Sequence, residues 1–488
     1  MPNENSGQRL GSDGREVAAA TEDTLARSGA DGHVSLHRRV ALIAHVGTSN
    51  LGDEAVLESS IAAVRGWTPR ADLIVFSMNP PETSRRHGVA AFPLRRNSIR
   101  GAGEPNSKSV AFAASIAADG LRPRLRQALR SVPGARTVGR VLRATAAAYC
   151  ALTGEAAFLI QSWQRLRGTR LIVVTGGNQL GDWFGGAWGF PYTLFKWSAL
   201  GRARGAKVAF MGVGAGPLDA WLSRRFCTLA LRLGAYVGFR DDQSQRFMEA
   251  CGYRGASAVV PDLAFGLRPA KPDRPDRWDR GRVVLNVFPY KDPAYDPYAD
   301  ERGEEFRRYV AMTAEIADGL VARGQEIIFA CSQRADRSVV DEVIQRLGHS
   351  PAGPPQVLEP QTSSELRAIF ASADFVVAAR YHGILFSILA ARPVIALSYQ
   401  AKSEELMQSV GLGRFALAIA KTTSGEVLSR FDELRMRAGS CSEQLWECAL
   451  TAHQACVEQF NLAASLAGFN GRSGWPDLNG AHSATASH

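Results

Sequence analysis

The densest chemistry in this sequence lies between Arg380 and Lys402. Arg380-Tyr381-His382-Gly383 follows an apolar run, Phe375–Ala379, and opens a helix-like segment. Tyr399 and Lys402 follow the next apolar run, Val394–Ser398. If those runs are neighbouring parallel strands, Arg380, His382 and Lys402 share one sheet edge. An imidazole between two cations suits a multiply charged anion and a proton that has to move. A lone histidine is more often a satisfied core residue, and only the grouping favours a site.

Three further stations follow other apolar runs. Arg240 ends Ala235–Phe239 and precedes Asp241-Asp242-Gln243-Ser244, where Asp241 reads as a helix cap. A guanidinium there can grip a planar carboxylate or a phosphate. Gly47-Thr48-Ser49-Asn50-Leu51-Gly52-Asp53-Glu54 is a glycine-punctuated turn into a helix. Its two acids already satisfy the helix dipole, so Asn50 and Asp53 suit sugar hydroxyls better than phosphate. A plain turn with Asp53 as the cap is the alternative. The third station is Thr175-Gly176-Gly177-Asn178-Gln179-Leu180-Gly181-Asp182, a glycine turn followed by Trp183, Phe184, Trp188, Phe190 and Tyr192. Most of these rings are expected in a buried cluster under the loop. Asn178 and Asp182 are the polar candidates.

Elements must position these residues. Apolar runs at 39–45, 71–77, 171–174, 207–211 and 235–239 alternate with helix-like stretches, the signature of a parallel α/β sheet. A Pro- and charge-rich linker, 271–281, precedes a second alternating set, with strands at 283–287, 326–330, 375–379 and 394–398. The expected division is an N-terminal α/β domain over 39–270, carrying a basic insertion at about 97–168, and a C-terminal α/β domain over 282–465. Tails at 1–38 and 466–488 read as disordered. Two such domains hold a ligand in the cleft between them, at the carboxyl ends of the strands.

Composition removes other classes. No Walker loop, HExxH or zinc-ligand spacing occurs, so neither metal nor cofactor is expected. Gly212-Val213-Gly214-Ala215-Gly216 does not have dinucleotide spacing. Seven cysteines, an odd number and widely spaced, indicate a reduced chain, and the start shows no signal peptide, so a cytoplasmic location is expected. The net charge of +10 is concentrated. Arg95 to Arg170 holds fourteen Lys or Arg against three acids. No nucleic-acid motif accompanies it, so nucleic acid is not an expected partner. The two readings left for this stretch are peripheral contact with an anionic membrane, at the inner face of the plasma membrane, and solvated arginines on helices.

Taken in order, the stations resemble the polysaccharide pyruvyl transferase family. The matching motifs are Asn50-Leu51-Gly52-Asp53, Gly176-Gly177, Arg240-Asp241-Asp242-Gln243-Ser244, Asp262-Leu263-Ala264-Phe265, Arg380-Tyr381-His382-Gly383 and Tyr399-Gln400-Ala401-Lys402. The chain departs from the family at Asn178, where a further glycine is expected, and in the basic insertion. The resemblance implies a fold like that of two-domain, GT-B-type glycosyltransferases. It implies phosphoenolpyruvate as donor, a sugar or lipid-linked oligosaccharide as acceptor, and a pyruvyl ketal as product. Arg240, Arg380 and Lys402 would then hold the donor, with His382 as general acid. Asn50, Asp53, Asn178 and Asp182 would face the acceptor, and Asp53 or Asp182 would serve as base. Two other readings stay open: a nucleotide-sugar glycosyltransferase of similar architecture, and a non-catalytic glycan-binding paralogue.

Overall fold

The structure is a computed structural model. It describes residues 39–67, 72–96, 149, 152–183, 185–271, 278, 281–296, 299–300, 303–348 and 355–469. The N-terminal tail, the C-terminal tail from 470, most of the basic stretch 97–168 and most of the linker 271–281 therefore lie outside the described residues.

Two parallel sheets form the framework. The first takes β1 (Arg39–Ile43), α1 (Leu51–Trp67), β2 (Asp72–Ser77), α2 (Pro80–His87) and β3 (Ala90–Pro93). A helical segment, α3, spans 152–165. Then come β4 (Thr169–Leu180), α4 (Phe190–Ala203), β5 (Lys207–Ala215), α5 (Trp221–Arg232), β6 (Tyr236–Phe239), α6 (Asp242–Ala250) and β7 (Ala258–Val259). The second sheet takes β8 (Arg282–Asn286), α7 (Glu304–Ala322), β9 (Glu326–Ala330), α8 (Arg334–Ile344), β10 (Gln356–Leu358), α9 (Ser363–Ser372) and β11 (Phe375–Ala378). It continues with α10 (Tyr381–Leu389), β12 (Val394–Ser398), α11 (Ala401–Ser409), β13 (Ala416–Ala418), α12 (Ser424–Met436) and α13 (Ala438–Leu466).

The strand orders are β3-β2-β1-β4-β5-β6-β7 and β10-β9-β8-β11-β12-β13. Each reverses direction beside its first strand, the doubly wound arrangement whose ligand crevice opens at the strands' carboxyl ends. Alternation along β1 shows why both faces are covered. Val40 and Leu42 pack into one buried cluster, Ala41 and Ile43 into another. The four short edge strands, β3, β7, β10 and β13, had no apolar run to announce them. They are two to four residues long and mostly half-buried, so packing imposes no strong pattern on them.

One element departs from the sequence expectation. The glycine stretch 175–180 is not a turn after a strand but the end of β4 itself. Its register against β5 shifts between Gly177 and Leu180, and Gly177 takes φ +87°.

The two halves are tied directly. Leu51 N donates to Ser332 O at 3.2 Å and Ala270 N to Leu389 O at 2.9 Å. Arg367 Nη2 donates to Glu58 Oε1 at 3.1 Å, so α9 is held on α1. The last helix, α13, returns to the first half. His453 Nδ1 is 3.0 Å from Phe265 O, and Phe460 and Phe469 pack on Trp67. Among the described residues no helix is long and apolar enough to cross a membrane.

Candidate functional site

The strand ends surround a cleft of about 440 Å³. From the first half come His45, Thr48, Asn50, Asp53, Gly177, Asn178, Trp183 and Arg240. From the second come Ser332, Gln333, Arg380, Tyr381, His382, Tyr399, Gln400 and Lys402. Gln333, Arg380 and Gln400 are the N-cap residues of α8, α10 and α11, so three helix N-termini open here. The first turn of α10 carries no acid and its cap makes no side-chain hydrogen bond. Its amides and dipole are therefore available to an anion.

The two guanidiniums are fixed by carboxylates. Arg380 Nε donates to Asp336 Oδ2 at 2.8 Å, and Nη2 also bonds Asp336. That leaves Nη1 as the nitrogen this pair does not use. Asp336 is fully buried and also accepts from the Ser332 and Gln333 amides at 2.8 and 3.2 Å. Arg240 donates from Nη2 to Asn178 Oδ1 at 2.7 Å and from Nε to Asp241 Oδ2 at 3.3 Å, with Asp262 Oδ2 3.8 Å from Nη1. Asp241 caps α6 as expected, accepting from Ser244 N at 2.7 Å. Lys402 forms no ion pair or hydrogen bond with any described residue. Its ammonium lies 5.4 Å from the Tyr381 ring centre, and Arg240 lies 5.1 Å from the same ring.

Two glycines permit close approaches at the site, the first of them between motifs from different halves. A Cβ at Gly52 would lie 2.1 Å from His382 Nδ1, so the imidazole rests directly on the first turn of α1. A Cβ at Gly383 would lie 2.2 Å from Asn286 Oδ1. Asn286 in turn donates to Ala330 O at 2.7 Å and Ser332 Oγ at 3.0 Å, which braces the ends of β8 and β9.

Titration follows from this crowding. Burial lowers His382 to about 4; Asp262 opposes this, while Lys402, Arg240 and Arg380 add to it. Its buried Nε2 has no hydrogen-bond partner. Burial also raises Asp53 to about 7, helped by Glu54 and Asp262 and opposed by Lys402 and Arg380. Lys402 falls to about 7, through burial and then Arg240, with Asp53 opposing. Asp53 and Lys402 thus both titrate near neutrality, each opposing the shift that burial imposes on the other. An anion bound between them raises all three groups.

The structure therefore brings together seven of the eight residues picked from sequence: Arg240, Arg380, His382, Lys402, Asn50, Asp53 and Asn178. It does not bring Asp182. That carboxylate accepts from Asp219 N at 2.8 Å and Ala220 N at 3.4 Å and so anchors the loop before α5. Asn50 lines the cleft, and its Oδ1 accepts from Gly52 N at 3.0 Å, a local cap that holds the turn. The aromatic cluster also differs from expectation. Phe190 is buried, but Trp183 and Trp188 are 48% and 67% exposed, and Trp183 lines the cleft. Phe184 lies outside the described residues. Sequence reading missed His45, Thr48, Ser332, Gln333 and Asp336. Ser332, Gln333 and Asp336 follow β9, and the strand-end position itself is the signal that could have found them. Among the described residues no group of three or more His, Cys, Asp or Glu is placed to hold a metal ion.

Comparison with known proteins adds to this geometry. The description of the polysaccharide pyruvyl transferase family matches residues 50–401. The chain is similar to the amylovoran biosynthesis protein AmsJ of Erwinia amylovora, 20% identical over 311 residues that span 59% of this chain and 72% of that protein. Among solved structures it is similar to HepE of Anabaena in complex with UDP-glucose, at 13% identity and a TM-score of 0.47, covering 88% of this chain and 99% of that one. It is also similar to a glycosyltransferase of Rickettsia africae, at 9% identity and a TM-score of 0.49, covering 88% and 98%. A third likeness is to the UDP-GlcNAc 2-epimerase of Neisseria meningitidis bound to UDP-GlcNAc, at 9% identity and a TM-score of 0.48, covering 88% and 100%.

Proposed function

The chain belongs to the polysaccharide pyruvyl transferase family, and from that premise we propose that it moves the pyruvyl group of phosphoenolpyruvate onto two hydroxyls of a cell-surface glycan precursor. The observation that carries this reading is the convergence of Arg240, Arg380, Lys402 and His382 on one cleft with an acid-free helix N-terminus. Phosphoenolpyruvate carries a carboxylate and a phosphate on adjacent positions. A guanidinium suits the first and an ammonium, with backbone amides, suits the second.

The reaction then needs two hydroxyl protons removed, one delivered to carbon and one to the departing phosphate. A proton goes to the methylene carbon, C2 becomes cation-like, and a sugar hydroxyl adds to it. Phosphate leaves, and a second hydroxyl closes the ketal. One hydroxyl proton ends on the new methyl group and the other leaves with phosphate. His382 is neutral before the donor arrives, and the donor's negative charge raises it toward the acid role. Asp53, with its value near 7, is a far better base than an ordinary carboxylate and stands on the acceptor side. The acceptor is a sugar or lipid-linked oligosaccharide. A peripheral membrane contact for the basic stretch, and a cytoplasmic location, rest on sequence alone.

The test is incubation with phosphoenolpyruvate and a panel of hexose and hexosamine acceptors, reading inorganic phosphate and product mass. A pyruvyl-ketal mass on one acceptor is the expected result. Silence with phosphoenolpyruvate but turnover with a nucleotide-sugar would overturn the reading in favour of glycosyl transfer. The dependence of kcat/KM on pH adds a second check. Asp53 must have lost its proton while Lys402 and His382 must each carry one, so with free-enzyme values of about 7, 7 and 4 the profile is expected to be level between about pH 4 and 7 and to fall on either side. Asp53→Asn removes the acid limb. Because Asp53 holds the Lys402 value up, the same change moves the alkaline limb to lower pH.

Gly52→Ala tests the contact between the two halves. The added methyl pushes the His382 ring aside, and a shift of about 1 Å in a reacting group costs on the order of 10²-fold. Ala is the better helix former, so the helix itself is not weakened. A variant with normal turnover would show that His382 does not need its seat on α1.

A further inference from the structure

Next to the cleft, and sharing Arg240, Tyr381 and Lys402 with it as lining residues, lies a second cavity of about 1380 Å³, roughly three times the 440 Å³ of the cleft. Residues after β6 and β7, together with α11 and α13, enclose it. The transfer chemistry makes no use of this space.

Its electrostatics are the reverse of the cleft's. Five carboxylates line it, Asp241, Asp242, Asp262, Glu405 and Glu447, against Arg240, Arg246 and Lys402. In the cleft, Arg240, Arg380 and Lys402 face Asp53 alone among the acids. Asp262, which lines this cavity, has its Oδ2 buried without a hydrogen-bond partner, 3.8 Å from Arg240 Nη1. A lining of this sign repels phosphate and diphosphate groups. It accepts hydrogen bonds from hydroxyls, and Phe247, Val260, Phe265 and Leu406 add apolar surface for the C–H faces of sugar rings. A donor anion is thus favoured in the cleft and a hydroxyl-rich neutral ligand in the adjoining cavity.

We propose that this cavity holds the uncharged sugars of an oligosaccharide acceptor, beyond the sugar that reacts in the cleft. The site rests on the transfer reading only for what happens at the reacting end. Binding is therefore the direct test. Saturation-transfer NMR and titration with neutral gluco-, galacto- and manno-tetrasaccharides, each against its monosaccharide, would be run on the full chain. Thr451→Trp and Val259→Trp fill the cavity from two walls and change exposed positions outside the reacting cleft. At least one tetrasaccharide is expected to bind tenfold or more tighter than its monosaccharide, and each tryptophan should abolish that gain with melting temperature unchanged. No gain for any tetrasaccharide, or a gain that survives both tryptophans, overturns the proposal. A gain that behaves as expected alongside no phosphate release from phosphoenolpyruvate overturns the transfer reading and leaves the cavity assignment standing.

Discussion

His382→Ala is expected to lower kcat by about 10²–10⁴-fold, the range of a lost general acid, with little change in the KM for phosphoenolpyruvate. The split follows from position. His382 sits between Gly52 and the helix it opens, while the anion-binding groups are Arg380, Arg240 and Lys402. Burial keeps the free imidazole neutral, so it adds little to donor affinity before the proton is needed. Steady-state kinetics with phosphate detection, paired with direct donor titration, separates the two quantities. A variant that loses donor affinity while keeping kcat would make His382 a binding residue and move the acid role elsewhere. Arg380→Ala is the contrasting variant, expected to raise the donor KM as well.

Asp336→Ala is expected to destabilise the chain by about 3–5 kcal/mol, the usual cost of stranding one partner of a buried ion pair. Asp336 is fully buried, Arg380 is 15% exposed, and no other described carboxylate pairs with that guanidinium. The same carboxylate holds the Ser332 and Gln333 amides, so the turn after β9 loosens with it. Denaturant unfolding reads the stability. The KM for donor reads the positioning, since an unheld Arg380 no longer presents Nη1 at a set place. Asp336→Asn keeps one carbonyl oxygen for the amides but sets an NH2 donor against Arg380, and should fall between. Unchanged stability in Asp336→Ala would mean that Arg380 finds its place without this pair.

Much of this molecule was legible before its structure. The central strands carry continuous apolar runs because both faces of a doubly wound sheet are buried, so their order and alternation with helices stand in the sequence. The strand-end rule then selected Arg240, Arg380, His382 and Lys402, because residues that follow parallel strands have to face the crevice.

Tertiary structure decided what no local pattern encodes. Asp182 follows a glycine just as Asn178 does, yet backbone amides near 220 capture it while Asn178 reaches Arg240. Asp336 is one acid among many in a helix, and only the approach of α8 to the end of β11 makes it the partner of Arg380. The pairing of Gly52 with His382 joins positions 330 residues apart, and the reason for that glycine lies wholly in the other half of the chain. The values near 7 for Asp53 and Lys402 have the same origin. Residue type sets an ordinary pKa, and only the burial and neighbours that folding supplies can bring an acid and a base to a common one.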